Sequence, residues 1–491
     1  MANWWKTGLF DLGVLLVFGS MMVAAALIAL RALFWRLEVA LGAPPQRTVW
    51  EWLFSLASNS PREIALTEQR AARGTAAAHP MGSPARQSWL DELAFRPATL
   101  NPEPVAADTV DTAAVIGPLA PRPIRLAAPF IVAPMAWGFS LTTEAKVALA
   151  MASQAAGVAV VSGEGPLLVE EVALSGAYIL QYSRGRWAHQ PAALRVADGV
   201  EIQLGQAAEG GMAVVKHLRS LPKRVRRALH RASPLVIRPR IPQSLAQLRQ
   251  HIRQVNPDIP VGVKIPAGPW AGRDVVKLAA MGFDFITLEG AEAATASSPA
   301  VIHDHLGIPL AVAIAEADQA LKAAQLRHRV TLVASGGVRG AADAAKLLAL
   351  GADVVAVGTS LLFALAHRQV AAHLPFHPPT GLVFPSGKGQ GLSLDQGEAF
   401  LNAAKWFYAS RFELSLIAAT VGCTHIGELG PHHLTAWRSE VAAWFGISQL
   451  VEPGSDAVTR RLQTLTEHYQ VLRGLLDELS LALEQALPAS S

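Results

Sequence analysis

The chain has 491 residues, of which 51% are hydrophobic and 16% charged, with a formal net charge of +4 and a single cysteine. This length holds one large domain of roughly 250 residues plus substantial additions. So small a net charge gives no general nucleic-acid footprint, and one cysteine excludes a disulfide framework and any need for an oxidising compartment.

Residues 12–30, LGVLLVFGSMMVAAALIAL, form an uncharged run long enough to cross a bilayer. No small-residue cleavage site follows closely, so the run reads as a retained anchor rather than a signal peptide. Arg31, Arg36 and Arg47 follow it, against Lys6 before it, which predicts a single-pass protein of the inner or cell membrane with its catalytic bulk in the cytoplasm. Residues 1–36 are therefore expected to be a transmembrane anchor. Residues 37–119, first Trp-rich, then rich in Ala and Arg, then Pro-containing, read as a linker and covering segment without a periodic core of their own.

From about residue 120 short apolar runs recur at 129–134, 158–161, 200–204, 260–265, 283–288, 330–334 and 353–357. Helix-compatible stretches intervene at 142–156, 271–280, 312–325 and 340–349, and Gly157 sits where the first needs a turn. Strands without clean alternation, separated by helices, predict parallel pairing beneath a helical cover. At least six of them in one region fit an α/β fold of the (β/α)8 TIM type over residues 120–430, with an open α/β sheet as the alternative. Residues 431–491 are expected to be a helical C-terminal extension, its last helix running over about 452–487. Lys223-Arg224-Val225-Arg226-Arg227 reads as a solvated helix face, with anionic lipid as the alternative contact; no zinc-finger spacing or nucleic-acid module accompanies it.

The chemistry-bearing signals sit after these strands. VASGGVR places Gly336 and Gly337 between a strand and a helix, and Gly358-Thr359-Ser360 repeats the arrangement one strand later. At the catalytic end of a barrel such loops present backbone N–H groups to a phosphate, although a lone Gly-Gly is ordinarily a tight turn. On the opposite sector, the loop of Met135, Ala136 and Trp137 can lie along a planar cofactor or be core. Lys264 ends the strand VGVKI, where a buried ammonium demands a partner. Glu164 follows another strand and suits an amino group or a cofactor hydroxyl, with loop capping as the plain alternative. Gln203 and Gln206 suit a ring edge or loop backbone, and Glu289 and Glu292 are open between a direct role and loop structure.

Taken together, Met135-Ala136-Trp137-Gly138, Ser162-Gly163-Glu164-Gly165, Gly205-Gln206-Ala207-Ala208, Val263-Lys264, Ser335-Gly336-Gly337-Val338-Arg339 and Gly358-Thr359 resemble, in order and spacing, the flavin-binding synthase domain of glutamate synthases, in particular membrane-tethered single-domain relatives. The resemblance implies FMN on a β/α barrel and hydride delivery to 2-iminoglutarate, formed from 2-oxoglutarate and ammonia, giving L-glutamate. It implies Lys264 and Glu164 as catalytic residues, and Met135, Ala136, Gln206, Lys264, Gly336, Gly337, Gly358 and Thr359 as cofactor-binding residues. No metal ligands and no iron–sulfur cluster are expected, because Cys423 stands alone.

The chain departs from the pattern in two places. A glycine-rich loop of the relatives reads Ala291-Glu292-Ala293-Ala294-Thr295-Ala296 here, and an acid- and histidine-bearing segment reads Ser233 to Arg240. Arg238 and Arg240 are therefore candidate substrate-binding residues beside Glu164, gripping a small carboxylated substrate. No fused NAD(P)H module is evident, so a separate electron donor or reductase is expected, and the long C-terminal helix suggests a homo-oligomer. An FMN oxidoreductase for another small acid or amine, and a non-catalytic barrel at the membrane, stand as alternative functions.

Overall fold

The computed structural model describes residues 23–33, 67, 70, 88–185, 189–212, 214–216, 221–229, 235–237, 244–293, 298–369, 380–385, 393–449, 463 and 465–477. The chain divides into two units, Met1–Ala78 and His79–Ser491. In the first, residues 23–33 are helical.

The described structure corrects the expected anchor. No helix among the described residues is long and apolar enough to cross a membrane. Residues 12–22 lie outside the described residues. The transmembrane helix, the membrane-tethered relative and the single-pass membrane localisation are accordingly withdrawn. The partner set predicted with them, a small carboxylated substrate, a separate donor or reductase and a homo-oligomer, finds no support in the described structure and is withdrawn as well.

The second unit opens with strand β1 (Leu93–Phe95) and then a hairpin of β2 (Ala114–Ile116) and β3 (Ile124–Leu126). The barrel strands follow: β4 (Phe130–Val132), β5 (Ala159–Val161), β6 (Ala177–Tyr182) and β7 (Gly199–Gln203). An antiparallel pair, β8 (Val214–Lys216) and β9 (Leu235–Ile237), interrupts the series. Then come β10 (Val261–Pro266), β11 (Phe285–Glu289), β12 (Thr331–Ser335) and β13 (Val354–Val357). The eight barrel strands close in the order β4-β5-β6-β7-β10-β11-β12-β13, and every neighbouring pair is parallel. The expected β/α barrel is thus present and closed.

Its two faces are packed differently. Ile131, Val161, Ile179, Phe285, Val333 and Val354 fill the inside together with Ile116, Ile124 and Leu126 of the hairpin. Gly262 makes room for one of them, since a Cβ there would lie 2.4 Å from the Phe285 ring. Outward-facing Phe130, Val160, Tyr178, Leu180 and Val263 join the larger apolar cluster beneath the helices. Helix α1 (Thr143–Ala156) shows the local logic: the Thr142 hydroxyl accepts from the Ala145 N–H, and Gly157 ends the helix at φ 65°, a left-handed conformation that favours glycine. Helix α2 (Val169–Leu174) precedes β6. Further round are α3 (Ala271–Ala280), α4 (Leu310–Ala323), α5 (Ala341–Ala349), α6 (Thr359–Ala366) and the long α7 (Gln396–Thr420).

The C-terminal extension is not simply helical. β14 (Leu434–Ala436) pairs antiparallel with β1, and β15 (Ser448–Gln449) adds to it in parallel, so this part of the chain returns to the segment before the barrel. Of the predicted final helix, residues 463 and 465–477 are described, and they are helical.

Candidate functional site

A cavity of about 1280 Å³ opens at the C-terminal ends of the barrel strands, larger than the roughly 300–1,000 Å³ usual for one small ligand. One wall is backbone. Gly336 and Gly337 follow β12 at φ 125° and 69°, and a Cβ on Gly337 would come within 2.7 Å of Glu292 Cβ. One strand later, Gly358 leads into α6, whose first turn has no side-chain cap. The Leu361 N–H donates to the Gly358 carbonyl at 3.0 Å, whereas the N–H groups of Thr359 and Ser360 have no helical carbonyl to bind and remain as donors at the helix start. The Ser360 hydroxyl donates to the Val338 carbonyl at 2.8 Å and ties the two loops together. Arg339 is not free for an anion: Asp343 and Asp91 hold its guanidinium and push its proton affinity further up.

The other wall is made of side chains on strands. Lys264 on β10 is 2% exposed, and its ammonium meets Glu289 Oε1 on β11 at 2.6 Å. Glu289 also accepts from the Ala207 N–H at 2.7 Å and the Ser335 hydroxyl at 3.3 Å. Glu201 on β7, 1% exposed, accepts from Thr287 Oγ1 at 2.6 Å and Gln181 Nε2 at 2.8 Å. Burial raises its proton affinity, while the Lys264 charge and the two donors oppose that rise. Gln203 Nε2 donates to Gln206 Oε1 at 3.0 Å, whereas Gln203 Oε1 is buried without a partner. Glu164 lines the cavity at 9% exposure, and among the described residues it has no hydrogen-bond or ion-pair partner.

The structure brings most of the predicted residues to this one cavity: Met135, Ala136, Glu164, Gln206, Gly336, Gly337, Gly358 and Thr359 all line it. Lys264 stands one layer behind, reaching the lining through Glu289. Trp137 is core, at 3% exposure, with its indole N–H donating to Thr143 Oγ1 at 3.0 Å. Glu292 accepts from the Leu310 N–H at the start of α4, which makes it a helix cap as well as a lining residue. Ala291 and Ala293 are buried, and the rest of that altered loop lies outside the described residues, as do Arg238 and Arg240. Sequence reasoning missed Gln181, Glu201 and Thr287. The available signal was a polar residue flanked by apolar ones inside a barrel strand, as in YILQY and GVEIQ.

Among described residues no cluster of three or more His, Cys, Asp and Glu is arranged for a metal ion. Cys423 is buried, its thiol pushed up to about 11 by burial, with His433 Nε2 at 3.6 Å.

Comparison with known proteins agrees with the motif order. A "glutamate synthase large subunit-like protein" of Rhizobium meliloti (strain 1021) is 30% identical over 392 residues, covering 74% of this chain and 87% of that protein. An archaeal-type glutamate synthase (NADPH) of Thermotoga neapolitana is 33% identical over 261 residues, and there the match spans about half of each chain. Among solved structures, a mandelate oxidase mutant aligns over 74% of this chain and 98% of its own at 19% identity and a TM-score of 0.47, a likeness too distant to say anything of ligand or reaction. The family described as the conserved region in glutamate synthase matches residues 96–374. That match begins just after β1 and runs through the whole barrel and past the second glycine loop, so the chain belongs to the glutamate synthase conserved-region family.

Proposed function

We propose that the protein is an FMN-dependent oxidoreductase acting on a small amine–imine pair. The residues fit the cofactor. Gly336, Gly337 and the uncapped first turn of α6 offer main-chain N–H donors suited to a phosphate. Met135, Ala136 and Gln206 line the other side of the same cavity and suit a planar ring, and the cavity has volume left for a substrate. FMN, when bound, supplies two-electron hydride exchange.

The observation that carries the substrate class is Glu164: a residue only 9% exposed that lines the cavity with no hydrogen-bond or ion-pair partner among the described residues. A carboxylate in this position is free to accept from a cationic or N–H-bearing ligand. An ammonium or iminium is such a ligand, and Glu164 would then orient the C–N bond and exchange the nitrogen's proton. Lys264 holds Glu289 in place and offsets part of the local negative charge.

Reduction of 2-iminoglutarate to L-glutamate is the finer form of this reading, supported by family membership. It needs cations for two carboxylates, and the strand-borne lysine behind the mouth is already paired. The test is anaerobic. The FMN-loaded chain is reduced and mixed either with 2-oxoglutarate plus ammonia or with imines lacking carboxylates. Flavin reoxidation by an imine, weakened at least about tenfold in Glu164→Gln for loss of one charge-assisted hydrogen bond, is expected. Reoxidation by 2-oxoglutarate plus ammonia alone selects the finer form, and inertness toward every imine contradicts the proposal.

A further inference from the structure

The mouth does not use every buried charge. On the outer side of β5, Lys146 of α1 and Glu171 of α2 are each 1% exposed and form an ion pair with one another. A buried pair of this kind seldom stabilises a fold more than packed apolar residues of similar size, so its retention calls for another explanation.

The lysine's second contact supplies one. Lys146 Nζ donates to the Ser162 carbonyl at 3.1 Å, the residue that begins the turn carrying Glu164. The same residue is held from the barrel side. Its N–H donates to the Ile179 carbonyl at 3.0 Å, and its hydroxyl accepts from the Gln181 N–H at 2.9 Å. Beyond it the turn is wedged against the loop of Met135 to Trp137. A Cβ on Gly163, at φ 77°, would lie 2.6 Å from the Ala136 nitrogen, and one on Gly165 would lie 2.7 Å from the Trp137 nitrogen. With so little slack, a shift of the Ser162 carbonyl moves both the unpaired carboxylate and the loop facing it.

We infer that Lys146, held in orientation by Glu171, is a positioning residue for the Ser162–Gly165 turn and, through it, for Glu164 and the Met135–Trp137 loop. The role in ligand holding rests on the proposed function; the geometric role does not. Glu171 fixes the ammonium so that it reaches one carbonyl, and neither residue lines the cavity.

The experiment compares Lys146→Met, the double variant Lys146→Met with Glu171→Leu, and the unaltered chain, each without added cofactor, by amide hydrogen exchange. Both variants should raise exchange across residues 162–165 and 135–137 by about tenfold, the equivalent of one lost hydrogen bond, and leave β10 to β13 unchanged. FMN-loaded samples should release FMN faster by a similar factor. The double variant leaves no unpaired buried charge, so it remains informative if the single variant does not fold. Wild-type exchange in those two segments, a uniform rise across the barrel, or failure of both variants to fold would each overturn the inference, the last two by making the pair a general stabiliser. If the unaltered chain binds no FMN, the functional proposal fails, while the exchange pattern still decides the positioning role.

Discussion

The two walls of the cavity are built from different material. Beyond β12 and β13 the lining includes the glycines Gly336, Gly337 and Gly358 and an uncapped helix turn, where the absence of side chains on the glycines leaves main-chain N–H groups accessible. Across the mouth, β6, β7, β10 and β11 supply amides, carboxylates and an ammonium that are paired with one another inside the barrel. The backbone wall is a shape that any phosphate-bearing ligand can exploit. The side-chain wall is an arrangement of charges and amides that largely satisfy one another.

This contrast predicts that substitutions on the side-chain wall act first on stability and those on the backbone wall first on ligand affinity. The largest effect should come from Lys264→Met, which strands the Glu289 carboxylate: a loss of about 3–5 kcal/mol in urea unfolding, most of it recovered by adding Glu289→Leu. A double variant as unstable as the single one would break the proposed pairing. Next comes Gly337→Val. A branched side chain at φ 69° that also meets Glu292 should cost about 1–2 kcal/mol of conformational strain and lower FMN affinity at least about tenfold. Titration of flavin fluorescence checks this, and unchanged affinity would remove Gly337 from the cradle.

Smaller effects sharpen the comparison. Burial raises the proton affinity of Glu201, so above the ordinary carboxylate range the folded chain retains a proton that the unfolded chain has released. Stability should therefore decline as pH rises through that interval. Glu201→Gln should flatten the slope in denaturant titrations at several pH values, and an unchanged slope would contradict the assignment. Ser360→Ala should be the mildest, weakening FMN binding by about 0.5–1.5 kcal/mol for the lost hydrogen bond to Val338, with melting temperature nearly constant.

The same contrast explains what the sequence disclosed. The placement of Gly336-Gly337 and Gly358 at the cavity was legible because the two glycine loops recur after consecutive strand-like runs, and the seven apolar runs marked all but one barrel strand. The missed strand, β6, carries Gln181 amid apolar residues, and Glu201 hides in the same way on β7. Their partners are 20 and 86 residues away, on neighbouring strands and across the mouth, so only the closed barrel reveals that they are satisfied. The β2–β3 hairpin was equally hidden, since its apolar residues have no core until the barrel interior receives them. The bilayer reading of residues 12–30 rested on hydropathy alone, and no helix among the described residues is long and apolar enough to cross a membrane.

The central claim is that the backbone wall holds a flavin phosphate. The most direct measurement titrates the unliganded chain with FMN and, separately, with riboflavin, which has the same ring system without the phosphate. The account predicts one FMN per chain and riboflavin weaker by at least about tenfold, the least expected for loss of a phosphate cradle. Equal affinity for the two, or no binding of either, would contradict it.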